Sequence, residues 1–330
     1  MIPADLKATD RWKLRSKTLH VGRIPLLMGI VNVTPDSFSD GGKYLDPDKA
    51  VAHGLKLACA GADILDVGGQ STRPGARRAS VREELDRVMP VVSALGRISP
   101  VPISIDTFEP GVAEEALIAG VEAINDITAL ADPEMLSLAV SSGCGVCAMH
   151  MQGVPQTMQV NPLYEDVVAE VLEFLRQRRD ALTAAGIEPA RIALDPGIGF
   201  GKTKEHNLAL LCNAWRFHAL DCPVLIGHSR KGFIGQMAGS INVRPAVQQN
   251  VEGEVQQKVG ASVEQNVEAA VQLPPQPPAQ LPAQPSEFDP LPGTIGAALA
   301  LARQGVQILR VHDVEAVRNA LLMFEACGGF

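Results

Sequence analysis

The sequence predicts an α/β protein built as a closed (β/α)8 barrel of the TIM type. Two observations carry this. Eight short runs of Val, Ile, Leu or Met each end in a polar residue able to do chemistry, and the stretches between them show apolar residues near the helical period. Continuous apolar runs are what strands buried on both faces of a parallel sheet look like. In a barrel of eight βα units the strand C-termini share one face, so polar residues far apart in sequence converge on one pocket. An open doubly wound sheet would concentrate its chemistry at one switch point.

The first run, LLMGIVN, ends at Asn32, and the helical stretch DPDKAVAHGLKLACAG follows with Pro47 near its start. The second, ADILDVGG, carries Asp66 and leads into a glycine-rich loop with Arg73, then SVREELDRVMPVVSAL. PISIDTF ends at Asp106, before PGVAEEALIAG with Pro110 near its start; AINDI carries Asn125 and Asp126, with Pro133 beyond. Proline is well placed in a first helical turn, where a missing amide hydrogen costs little. VCAMHM ends at His150, ahead of YEDVVAEVLEFLRQRRDALTAAG; IALD ends at Asp195, PVLIGHSRK holds Ser229 and Lys231, and QILRVHD holds Arg310 and His312.

At 330 residues the chain is long for one barrel of about 250, so an insertion is expected. It is visible at 245–289, between the seventh and eighth strands, where Val, Gln, Glu, Asn and Pro dominate and QNVEG returns as QNVEA. Seven valines at four-residue spacing would spiral around a helix, and LPPQPPAQLPAQP favours extended chain. The expected organisation is an extension over 1–24 and a barrel over 25–330 interrupted by this surface insertion, which holds a net −5 of the chain's −8. No apolar run reaches the roughly 18 residues of a membrane span, and the N-terminus lacks a secretory pattern, so a cytoplasmic protein is expected. The six scattered cysteines, including Cys144 and Cys147, read as free buried or surface thiols in a reducing compartment.

Asp106, Asn125, Asp195 and Lys231 end four different strands or their loops, and together they can ring a flat polar heterocycle through charge-assisted hydrogen bonds. Arg310 and His312 are two apart on a strand and so project to one side, near Arg230 and Lys231. Such a cluster in an acidic chain points to an anionic small molecule and not to nucleic acid, for which no extended basic face exists. Asn32 is placed to give one oxygen to a magnesium ion held mainly by phosphates. GIGFGKT resembles a phosphate loop, but Pro196 stands where the first glycine is required, so a nucleoside triphosphate site is discounted. The loops TPDSFSDGGKY and GGQSTRPGAR have the composition of active-site lids.

With MGIVNVTPDSFSDGG, GGQSTRPGA, SIDTF, INDI, MHMQG, LDPGIGFGKT, GHSRKGFIG and RVHDV in this order, the chain resembles the dihydropteroate synthases over about 25–240 and 290–326. The resemblance implies a transferase of folate biosynthesis and sulfonamide target, joining dihydropterin pyrophosphate to p-aminobenzoate with loss of pyrophosphate. It implies that Asp106, Asn125, Asp195 and Lys231 hold the pterin between Met149 and Phe200, that Asn32, Arg310 and His312 hold magnesium pyrophosphate, and that Phe38, Thr72, Arg73, Pro74 and Ser229 shape the p-aminobenzoate site. Asp106, Asp195, Lys231 and Arg73 would be the catalytic set, Mg2+ the cofactor, and a homodimer the assembly. Gln70 departs from the family, which usually has Glu there. Two other readings compete: a pterin-dependent methyltransferase barrel, and a non-catalytic pterin-binding or scaffold paralogue using the repeat arm for a partner.

Overall fold

The computed structural model describes residues 8–34, 46–71, 76–234 and 289–330. Phe38, Thr72, Arg73 and Pro74 lie outside the described residues, as does the insertion apart from Asp289.

A short antiparallel hairpin, β1 (Arg11–Lys13) and β2 (Thr18–His20), comes first. The barrel strands are β3 (Leu26–Asn32), β4 (Ile64–Gly68), β5 (Ile103–Asp106), β6 (Ala123–Asp126), β7 (Gly145–Met149), β8 (Ile192–Asp195), β9 (Leu225–Ile226) and β10 (Ile308–Val311). All eight pair in parallel, in the order β8-β7-β6-β5-β4-β3-β10-β9. A parallel bridge between Leu194 and Val224 closes the ring, with Leu194 N donating to Pro223 O at 2.8 Å. Each of the eight apolar runs has become one stave.

The outer helices are α1 (Pro47–Cys59), α2 (Val81–Ile98), α3 (Pro110–Ile118), α4 (Pro133–Ser142), α5 (Val167–Ala184), α6 (Lys204–Cys212), α7 (Leu291–Ala302) and α8 (Val314–Ala326). Local sequence explains their starts. Pro47, Pro110 and Pro133 occupy first-turn positions, Asp46 and Asp132 cap α1 and α4 with their carboxylates, and Ser80 with Glu83 forms a reciprocal capping box on α2.

Two apolar cores result. The larger lies between strands and helices, with Val88, Val91 and Leu95 of α2 packed against residues such as Leu65 and Ile105. The smaller fills the barrel's N-terminal end with Met28, Ile64, Ala123, Cys147, Ala193, Leu225 and Ile308, and into it Trp12 and Leu14 of the hairpin insert. Trp12 is fully buried and its Nε1 donates to Arg191 O at 3.0 Å, while Arg191 Nη1 donates back to Leu14 O at 2.5 Å. The hairpin is thus a plug for the end of the barrel away from the chemistry. Cys144 and Cys147 are buried free thiols.

Candidate active site

Strand alternation builds the site from that plug upward. Side chains two residues apart on a strand share a face, so the inward positions that begin at Ile64, Ala123, Cys147, Ala193 and Ile308 continue at Asp66, Asn125, Met149, Asp195 and Arg310. One step along the barrel axis the lining changes from apolar to mostly polar and charged. A second step on β3 and just beyond β10 reaches Asn32 and His312, which line a cavity of about 910 Å³ together with Asp106, Phe200, Lys202, Lys231 and Arg310.

The charged tier is organised around Asp66, which is fully buried. It accepts from Ser104 Oγ at 2.5 Å, Asn125 Nδ2 at 3.0 Å and Arg310 Nε at 2.6 Å. Arg310 Nη2 also donates to Asp106 Oδ2 at 2.6 Å. Arg310 therefore bridges two carboxylates contributed by neighbouring strands. Burial opposes its charge, but Asp66 and Asp106 outweigh it and raise the guanidinium's pKa. Asp106 faces the cavity and is pushed up to about 7, by burial first and then by Asp66, against the pull of Arg310.

On the opposite wall Asp195 is buried and pushed up to about 6 by burial, opposed by the Gly197 amide, which donates to Oδ1 at 2.7 Å, and by Lys231 and Lys202. Lys231 Nζ lies 4.4 Å from the centroid of the Phe200 ring, a cation–π contact, and burial with Arg310 nearby lowers it to about 8. The glycines between them are held in place. Gly197 has φ of +69°, and a Cβ there would collide with the His150 carbonyl. Gly199 N donates to Asn207 Oδ1 at 2.7 Å, and the Gly199 and Gly201 carbonyls accept from Gln159 and Tyr164. The Gly197 and Gly199 amides are thus engaged inside the protein, a physical reason why GIGFGKT is no phosphate loop.

His312 hydrogen-bonds Ser229 Oγ through its amide at 3.2 Å and Nδ1 at 3.1 Å. Burial, Arg310 and Arg230 depress it to about 3, so it stands here as a neutral imidazole and not as the cation its place in a basic cluster suggested. Arg230, at φ +56°, turns its guanidinium to Asp313. With Arg230 paired, the basic quality of the cavity comes from Lys231, Lys202, Lys204 and Arg310.

Of the sequence-predicted residues, Asn32, Asp106, Phe200, Ser229, Lys231, Arg310 and His312 line the cavity; Asn125, Met149 and Asp195 are buried beneath its walls. Two participants stand outside the sequence expectations. Asp66 ends an apolar run without an expected role there, although a lone acid in phase with Ile64 inside an apolar strand signals an inward carboxylate. Lys202 belongs to the discounted phosphate-loop pattern; it is buried, lines the cavity, and places Nζ 2.9 Å from His150 Nδ1 and 3.0 Å from Phe200 O. Among the described residues no three His, Cys, Asp or Glu side chains gather as a metal-binding group. A lone amide oxygen such as that of Asn32 suits only an ion whose other ligands are ligand phosphates and water.

The family model of pterin-binding enzymes matches residues 28–271. The dihydropteroate synthase of Escherichia coli K12 is 41% identical over 302 residues, covering 92% of this chain and 91% of that one. The chain belongs to the dihydropteroate synthase family. The synthase of Neisseria meningitidis serogroup B is 42% identical over 92% of this chain and 93% of its own length. The dihydropteroate synthase of Xanthomonas albilineans, solved with 4-aminobenzoic acid, aligns with a TM-score of 0.76 at 39% identity, covering 98% of this chain and 99% of that one. The same synthase solved with 7,8-dihydropteroate aligns with a TM-score of 0.72 at 37% identity, covering 97% and 99%.

Proposed function

We propose that this chain joins the methylene carbon of 7,8-dihydropterin pyrophosphate to the amine of p-aminobenzoate, giving dihydropteroate and pyrophosphate. The observation that carries the reading is the change of barrel lining from apolar to polar and charged, which sets the carboxylate Asp106 and the cation Lys231 on one cavity with the buried carboxylate Asp195 behind its wall, both acids with raised proton affinity. A pterin offers donors on its amino-pyrimidinone edge, and a carboxylate accepts two at once. Asp195 and Asn125 take that edge, Lys231 meets the carbonyl, and Phe200 and Met149 face the ring.

In the reaction the carbon–oxygen bond to pyrophosphate breaks with its electron pair leaving on oxygen, and the amine lone pair forms the new carbon–nitrogen bond; the amine then loses its proton. Carboxylates around the pterin stabilise the cation-like ring, and positive charge at Arg310 answers the departing anion. When the pterin engages Asp106, Arg310 Nη2 exchanges that carboxylate for the pyrophosphate. Magnesium, when bound, adds charge neutralisation on the phosphates, and Asn32 with His312 would hold that complex. Thr72, Arg73, Pro74, Phe38 and Ser229 are the residues proposed to bind p-aminobenzoate, the guanidinium of Arg73 being chemically suited to its carboxylate.

Leu322 and Met323 are exposed on α8 at 49% and 66% and supply an apolar face for a homodimer. The free surface thiols Cys59, Cys212 and Cys327 fit a reducing cytoplasm, and no helix among the described residues is long and apolar enough to cross a membrane. The test is pyrophosphate release with both substrates and magnesium, beside Asp195→Ala. Turnover lost in the variant supports the reading; pterin binding without release points to the non-catalytic paralogue.

A further inference from the structure

Gln70 lies two residues beyond Gly68, the last residue of β4, and with Ser71 it lines the cavity. Its Nε2 donates to Glu84 Oε2 at 3.2 Å, and its Oε1 accepts from Ala79 N at 3.3 Å. A primary amide in this orientation serves both partners without a change of charge, since the carboxylate takes a hydrogen and the backbone amide gives one. Glu84 is fully buried on the first turn of α2. The chain around it leaves little room: a Cβ on Gly69 would come within 2.5 Å of Val88 Cγ1 and 3.0 Å of Glu84 Cγ, and Gly69 O accepts from Arg87 Nη1 at 2.9 Å. One neutral side chain thus ties residue 70 to residue 79 and both to the same buried carboxylate.

We propose that Gln70 is a positioning residue, clamping together the two ends of the connection between β4 and α2 through a neutral amide bridge from Glu84 to Ala79, and thereby holding its wall of the substrate cavity. The kinetic side of this rests on the proposed function; the clamp itself does not. The charge of residue 70 decides the outcome because Glu84 already sits in a costly place. Burial raises its carboxyl and Glu109 adds to this, against the Thr107 hydroxyl, the Gln70 amide and Arg87; Asp106 is a further acid nearby. Glu109 itself is paired with Arg78. A second carboxylate at position 70 would share one proton with Glu84 at low pH, and the protonated partner would then donate as the amide does. At higher pH the pair would carry two like charges and separate.

The experiment compares wild type, Gln70→Ala and Gln70→Glu by hydrogen exchange at the Ala79 amide and by steady-state kinetics at about pH 6 and pH 8. The expected result is loss of Ala79 protection in Gln70→Ala at both values, and in Gln70→Glu a loss that is greater at the higher value than at the lower. The KM for p-aminobenzoate rises in parallel, relative to wild type at the same pH, by about ten-fold, as loss of one hydrogen bond to a charged group implies, while kcat changes far less. Equal Ala79 protection in all three proteins at both values would overturn the proposal. A wild type without turnover would remove the proposed function and leave the exchange data to decide the clamp.

Discussion

Lys202 Nζ stands 2.9 Å from Nδ1 of His150, in a position where protonating either is costly. Burial lowers Lys202 to about 7, and burial together with Lys202 lowers His150 to about 3. A neutral His150 nitrogen therefore accepts from the lysine, and the pair ties the end of β7 to the loop that carries Phe200.

Replacing Lys202 by Met removes a buried cation. The lysine's folded pKa is depressed below its ordinary value near 10.5, so the fold carries no penalty above that value, and the penalty grows as pH falls toward 7. Relative to wild type, Lys202→Met is expected to gain stability at pH 7 and lose part of that gain by pH 10, with differences of ~1 kcal/mol or more. Urea titrations at the two pH values read this directly, and an offset independent of pH would contradict it.

Arg310→Met leaves Asp66 and Asp106 without their shared cation. Breaking a buried pair in this way costs about 3–5 kcal/mol. Asp106 is already raised from 3.8 to about 7, so its destabilising share is absent below pH 4 and builds as pH rises. In the variant that rise extends to higher pH. Thermal unfolding is expected to show the variant closest to wild type near pH 4 and furthest from it above pH 7.

Turnover should be bell-shaped in pH. The proposed chemistry needs Asp195 and Asp106 ionised and Lys231 protonated, and these titrate at about 6, about 7 and about 8. The kcat/KM for the pterin substrate is expected to fall below about 7 and above about 8. A profile flat from pH 5 to 9 would remove all three groups from the binding step.

Trp12→Ala should cost stability without touching catalysis. The indole is fully buried at the barrel's far end, where truncation costs about 3–5 kcal/mol. A lower urea midpoint with both KM values within about two-fold of wild type is the expected outcome.

The barrel was legible because both of its periods are written locally: continuous apolar staves and helical stretches between them, with prolines in first turns. Convergence of Asp106, Lys231, Arg310 and His312 on one cavity was legible for the same reason, since phase along a strand fixes the face. The partners were not. Arg310 finds Asp66 and Asp106 from 244 and 204 residues away, across strands whose stagger no local pattern records. Nor does local pattern reveal that His312 is held neutral, because its desolvation is a property of the assembled wall. The hairpin has no such local mark, because each of its strands is three residues long, too short for alternation to stand out in a charged stretch.

Trp12 and its acceptor, the Arg191 carbonyl, are separated by 179 positions. At ribosomal speeds of about 5–20 residues per second, roughly 9–36 s pass between making the indole and making its seat. During that interval the indole waits without its acceptor, and the floor around it also needs Leu225 and Ile308, on the seventh and eighth staves. The hairpin is thus made before the barrel end it closes, and completes its seat only once the last stave is in place.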